Sequence, residues 1–367
     1  MLRILTNKKR HDMKRRELYS FYIFMQHFLN LAGFSCSLPV LGLNTILTFL
    51  PAISYGCTQV EYSAENYRTS TALRLMTAVQ SPLTEAESID IMIFDEDDKS
   101  SLDAYQRFGL TSCSTIQVAS TSGDKILAAI VNSRRERHEW AGVTSLQSLQ
   151  DVRVNLEDET EDMPAMSGTC HIKAGYPANL TVSRLAAEVV LRSLCCDFTG
   201  KEYEGKGIEN VKIYLTNVNA EASIMEQETP FPRRIINMGR LDEDNLKSFK
   251  KPDMIMQQLP HFIGNIPIVT DIRLRCFPNN AKEESPGSPF TRLVIEGEVD
   301  GNRYYWPIEI NREDDGSGIS RNCRYVYDIT LTRLGNKDPD IPIELKDMKI
   351  CMEILPWEEK EDYGVRF

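Results

Sequence analysis

Between Arg292 and Ile310 two apolar-rich runs, Arg292–Val299 and Arg303–Ile310, flank Asp300-Gly301-Asn302. Asp-Gly readily takes the positive φ values of a tight hairpin turn, so this segment predicts a pair of antiparallel strands. Much of the chain from Cys57 onward follows the same grammar. Ile89–Phe94 alternates at first and then runs into Asp95-Glu96-Asp97-Asp98-Lys99, a turn. Thr115–Ser120, Ser122-Gly123-Asp124 and Lys125–Val131 read as strand, turn and strand. Tyr325, Tyr327, Ile329 and Leu331 share one face of a later strand, with Asp328, Thr330 and Thr332 opposite. Helical signals are confined to Ser145–Leu149 and to Leu241–Phe249, which has acids early and lysines late. The body is predicted to be all-β.

A duplication runs through it. Thr71–Val79 precedes the Ile-rich run Glu87–Phe94, and a hundred residues later Leu180–Leu194 precedes Gly207–Val218. Two copies of one sandwich in tandem give this pattern. At 367 residues the chain is long enough for two cores. The boundary is placed near Gly175–Asn179, where Tyr176-Pro177 interrupts the run, giving domains over 57–177 and 178–367.

The front end differs from the rest. Residues 1–56 carry seven Lys/Arg and two acids, net +5; of the chain's 42 bases and 53 acids, 35 and 51 remain from Cys57 onward, net −16. An acidic body without a basic stripe disfavours nucleic acid as a partner. Arg3, Lys8, Lys9, Arg10, Lys14, Arg15 and Arg16 form a basic start, and no charged side chain except His27 occurs from Leu18 to Gly56. Basic, then apolar, then small residues is the order of a secretory signal peptide. Gly56-Cys57 resembles the lipobox of bacterial lipoproteins, with Ser54 in the place where a lipobox usually has leucine. The resemblance implies cleavage after residue 56 and acylation of Cys57. The length of the uncharged run also admits translation from Met13 or an uncleaved membrane anchor.

Nine cysteines include Cys36 in the leader and Cys57. The other seven, Cys113, Cys170, Cys195, Cys196, Cys276, Cys323 and Cys351, contain no C-x-x-C pair, and an odd number cannot all pair internally. Their apolar or alternating surroundings predict free, buried thiols.

Taken in order, Ile89–Asp95 (IDIMIFD), Ile126–Asn132 (ILAAIVN), Met163–Gly168 (MPAMSG), Leu180–Leu191 (LTVSRLAAEVVL), Val211–Asn219 (VKIYLTNVN), Arg292–Arg312 and Tyr325–Leu334, followed by Gly335 and Asp338-Pro339-Asp340, resemble the fimbrillin family. These are the stalk, tip and anchor subunits of type V pili in anaerobic Gram-negative bacteria. The resemblance covers nearly all of Cys57–Phe367. It implies two tandem transthyretin-like β-sandwiches, lipoprotein export to the outer membrane, other fimbrial subunits as partners in a homo- or heteropolymer, and a role in adhesion. It implies no enzyme activity and no cofactor. In the family's stalk subunits a cut after an arginine frees an N-terminal strand, and a neighbour's C-terminal strand fills the groove. Arg68 and Arg74 are the arginines nearest the start, while Val79–Glu87, where the loop between the first two strands should lie, has none. That departure keeps anchor and tip roles open beside the stalk. The tail, 348–367, supplies Met348, Ile350, Met352 and Ile354 at alternate positions, then Pro356-Trp357, and ends Gly364-Val365-Arg366-Phe367. It serves either as the last strand of its own domain or as a donor to another subunit.

Sharper chemistry finds little support. His138, His171 and His261 fall in no metal or triad spacing. Asp95–Asp98 and Asp314–Gly318 lack the twelve-residue calcium-loop pattern and read as solvated turns. Arg134–Arg137 reads as an exposed loop, and Tyr304-Tyr305-Trp306 is either a sugar-stacking platform or partly core. The rival from another class is a surface glycan-binding lipoprotein, which would keep an exposed aromatic cluster and stay monomeric.

Overall fold

The computed structural model describes residues 68–78, 83, 85–111, 115–160, 162–226, 232–280, 289–312, 317–341, 343 and 348–357. The first set of strands is β1 (Thr69–Thr77), β2 (Glu85–Asp95), β3 (Leu102–Thr111), β4 (Thr115–Ser120), β5 (Asp124–Val131), β6 (Arg153–Asn155), β7 (Met166–Lys173) and β8 (Ala178–Arg184). The second is β9 (Ala187–Cys196), β10 (Glu209–Thr216), β11 (Val218–Asn219), β12 (Glu221–Ser223), β13 (Ile235–Ile236), β14 (Met256–Gln258), β15 (Ile268–Cys276), β16 (Arg292–Val299), β17 (Asn302–Glu309), β18 (Cys323–Leu331) and β19 (Met348–Pro356). Two short helices stand where the cap residues predict them. Ser145 caps α1 (Leu146–Gln150) by accepting from Ser148 N, and Asp242 caps α2 (Glu243–Ser248) by accepting from Asp244 N and Asn245 N.

The duplication holds at the level of pairing. In the first set, β3-β2-β5-β7 faces β4-β1-β8; in the second, β14-β10-β16-β17 faces β15-β9-β18-β19. β1 and β9 each pair parallel with one neighbour, β8 and β18, and antiparallel with another, β4 and β15. Each set is a β-sandwich of the same topology, and β19 is the addition.

The expected boundary at 177/178 falls inside the β7–β8 hairpin. β8 pairs parallel with β1 from Leu73↔Ala178 to Thr77↔Val182, so Ala178–Arg184 belongs to the first sandwich. Leu180–Leu194, expected as one opening strand, is two strands broken at Leu185-Ala186, where the chain passes to the second sandwich. Tyr176-Pro177 is the hairpin's turn.

The run Ile89–Phe94 loses its alternation because both faces are covered. Ile89, Ile91 and Ile93 join Leu73, Leu75, Val118, Leu180 and Val182 inside the first sandwich. Met92 and Phe94 point the other way, into a cluster with Trp140, Val143 and Leu149 that continues into the core of the second sandwich. The hairpin β16–β17 closes through Asp300 (φ 50) and Gly301 (φ 74), with Val299 opposite Asn302, as the Asp-Gly signal predicts. Asparagines at the ends of the resembling segments also adopt positive φ: Asn132 (54), Asn217 (54) and Asn311 (53). Their amides donate to Pro164 O, Phe290 O and Gly318 O, pinning the chain where each strand ends.

Candidate assembly surface

β19 is built by strict alternation. It runs antiparallel to β18, with Met348 opposite Leu331, Ile350 opposite Ile329, Met352 opposite Tyr327 and Ile354 opposite Tyr325. Burial declines along that row. Met348 is buried, Ile350 and Met352 are half-buried, and Ile354 is 46% exposed. On the outward face Arg192 of β9 pairs with Asp328 of β18 and, at 3.3 Å, with Glu353 of β19. The Arg192 guanidinium holds the Asp328 carboxyl below its usual range. Along its length, then, β19 is held by its ladder with β18, by Met348, Ile350 and Met352 against the second core, and by one rim of charge.

Its end is held differently. Trp357 is buried, and its N–H donates to Asn322 O at 2.8 Å. The ring lies beneath two guanidinium groups, Arg184 at 4.6 Å and Arg275 at 5.4 Å, one from each sandwich. Beside them Arg324 and Glu188 form a buried pair at 2.6 Å. Burial depresses Arg184, the nearby Arg324 and Arg275 add to that effect, and Glu188 and Glu159 oppose it. Sequence reasoning singled out Trp357 and missed this charged bed, because a lone arginine in a strand reads as a solvated position. The available signal was the apolar context of Arg275 and Arg324, which stand between Leu274 and Cys276 and between Cys323 and Tyr325.

The first sandwich has no counterpart of β19 among the described residues. Where β18 carries β19, β8 meets only β7, through Met166↔Arg184 and Ser167↔Ser183. Arg68 is exposed and precedes β1, so a cut there leaves β1 in place. Arg74 has an exposed side chain, but its backbone lies between Thr115 of β4 and Asn179 of β8, inside a ladder on both sides. Cys57, Cys113 and Gly364–Phe367 lie outside the described residues.

Cys170, Cys195, Cys196, Cys276, Cys323 and Cys351 are free thiols. Cys351 is exposed on β19, contrary to the expectation of burial, because it occupies an outward position of an edge strand. Burial pushes the Cys276 thiol up to about 12. Asp97 is occupied as a turn acceptor, bonded by the N–H groups of Lys99 and Ser100. His171 sits 2.9 Å from Glu96, and among the described residues no three metal-ligating side chains stand together. Trp306 is core, its Nε1 donating to Arg333 O at 3.0 Å, and Lys337 lies 3.6 Å over the Tyr304 ring. Those two aromatics form no open platform.

No protein-family profile matches the chain, and no curated protein matches it in sequence. Solved structures do share its fold. A candidate cell adhesion protein from Bacteroides eggerthii aligns with a TM-score of 0.61 at 15% identity, covering 79% of this chain and 96% of that one. One from Parabacteroides distasonis aligns at 0.58 and 14%, covering 81% and 99%. The fimbrilin of Porphyromonas gingivalis aligns at 0.56 and 12%, covering 78% and 97%. The chain has the two-sandwich fold of these proteins over nearly their full lengths.

Proposed function

We propose that this chain is a subunit of an adhesive pilus, joined to its neighbours by strand exchange and carrying no catalytic role. The observation that carries the reading is β19. It is an edge strand with an alternating apolar row, half of it poorly buried at home, appended to a sandwich whose sister has no such strand among the described residues. A strand of this kind gains more in a groove that covers both its edges than at a sheet margin. Met348, Ile350, Met352 and Ile354 are the side chains that would fill such a groove, with Trp357 as the anchor. The groove would form where β1 leaves the first sandwich. Arg74 would then be cut only after β1 unpairs, and uncut chains would serve at the tip or anchor position.

Export is proposed through the leader 1–56 and acylation of Cys57, which would place the subunit on the outer membrane. Labelled fatty acid should enter the wild-type chain and not Cys57→Ser; equal labelling of both rejects the lipid anchor.

Assembly is tested on surface material from cells making the full chain. Wild type should give a heat-labile ladder of subunit multiples. Ile354→Asp should abolish the ladder, yet cost the monomer about 1 kcal/mol or less, because a largely exposed side chain is being replaced. No ladder from wild type, or an unchanged ladder from Ile354→Asp, would sink strand exchange through β19.

A further inference from the structure

The outward face of β14-β10-β16-β17 differs from its counterpart in the first sandwich. There, Met92 and Phe94 are plugged by Trp140, Val143 and Leu149. In the second sandwich the same face carries a polar row in register across the sheet: Gln258, Lys212, Glu296 and Tyr305. Beside that row Tyr214 is fully buried, with the Glu296 carboxylate beside its hydroxyl. Lys212, Glu296 and Tyr305 line a cavity of about 360 Å³, with Arg240 and Glu243 on one rim and Lys337 and Asp338 on the other.

Both rims are fixed by local chemistry. Asn237 and Asn217 lock the Arg240 rim: Asn237 Nδ2 donates to Leu215 O at 3.0 Å, and Gly239 N donates to Asn217 Oδ1 at 2.8 Å. The Lys337 rim follows Gly335, where a Cβ would meet Tyr305 O at 2.3 Å, and Asn336 pairs with Tyr305 through both backbone bonds. The hollow is therefore framed, not left by a loose loop.

We propose that this cavity binds a carboxylated saccharide. Its volume is at the lower end of the roughly 300–1,000 Å³ of small-ligand sites. It offers what a sugar ring needs: an aromatic wall in Tyr305 and carboxylate acceptors for ring hydroxyls in Glu243 and Asp338. Arg303 is already engaged with Glu296 at 3.5 Å and Glu298 at 3.6 Å. Lys212 and Arg240, which make no ion pair within 4 Å among the described residues, are left to hold a carboxylate. An extended polyanion would meet the acidic exterior, whereas a single carboxylate needs only these two bases. The site does not depend on whether the chain is built into a filament.

Calorimetric titration of the purified chain with 3′-sialyllactose, digalacturonate and lactose tests it. At least one acidic sugar should bind tenfold or more tightly than lactose, and which one does so separates a sialic-acid ligand from a uronic-acid ligand. Lys212→Gln and Arg240→Gln should each weaken binding at least fivefold without moving the melting temperature, and Tyr305→Ala should do so if it folds. Binding of neither acidic sugar, equal binding of lactose, or wild-type affinity in both basic-residue variants overturns the proposal.

Discussion

Glu159 is 6% exposed, and burial raises its carboxyl to about 7, against the opposing pull of Arg275, Arg184 and Arg134. It accepts a hydrogen bond from Ala165 N at 3.2 Å, which a glutamine can also do. The sign follows from which form the fold prefers. An acid whose folded value lies above its unfolded value of 4.5 binds its proton more tightly when folded. Its contribution to stability is therefore complete below 4.5 and lost as pH rises from 4.5 towards 7. Denaturant unfolding of wild type and Glu159→Gln should show the variant gaining on wild type across that window, by about 3 kcal/mol at most. A constant difference from pH 4.5 to 7.5 would show that Glu159 titrates normally. Glutamic acid in an Asp/Glu-rich stretch gave no hint of this in sequence, since its burial comes from the second sandwich closing over it.

At the scale of elements, the segment MPAMSG illustrates what a motif conceals. Gly168 sits in β7 where that strand passes β8, and a Cβ there would come within 2.0 Å of Thr181 O and 3.3 Å of Val182 Cα. Those are backbone atoms, so no side-chain rotation relieves the contact. Gly168→Ala should therefore cost about 2 kcal/mol or more and lower the melting temperature by several degrees. A variant that melts with wild type would mean the corner has slack. Sequence reading found the segment but gave it no role, because the strand it must clear is contributed by residues after the hairpin turn. The Asp-Gly hairpin, by contrast, was legible from its own five residues.

The two sandwiches form one compact unit. Met92, Phe94, Ala128 and Ile130 of the first share a hydrophobic cluster with the core of the second, and β6 pairs with β12 from Arg153↔Ser223 to Asn155↔Glu221. Arg321 reaches back to the carbonyls of Ser167, Ser183 and Arg184. Two halves coupled this way should unfold together, with near- and far-UV signals tracing a single transition. Reductant should move its midpoint by only a few degrees, since losing a structural disulfide typically costs about 2–5 kcal/mol. Two resolved transitions, or a large drop with reductant, would contradict a shared core held without disulfides.

Periodicity, turn chemistry and helix caps are written in neighbouring residues, which is why strand class, the β16–β17 hairpin, both short helices and the duplication follow from the sequence alone. Partner choice is not local. The parallel pairing of β8 with β1 joins residues about a hundred positions apart, the charged bed under Trp357 draws on Arg184 and Arg275 from earlier strands, and the seating of β19 on β18 crosses the segment between Leu331 and Met348. The open face above Tyr305 was likewise decided only on folding. Its row of Gln258, Lys212, Glu296 and Tyr305 comes from four separate strands, and a hollow exists there because no Trp140 or Leu149 covers the second copy.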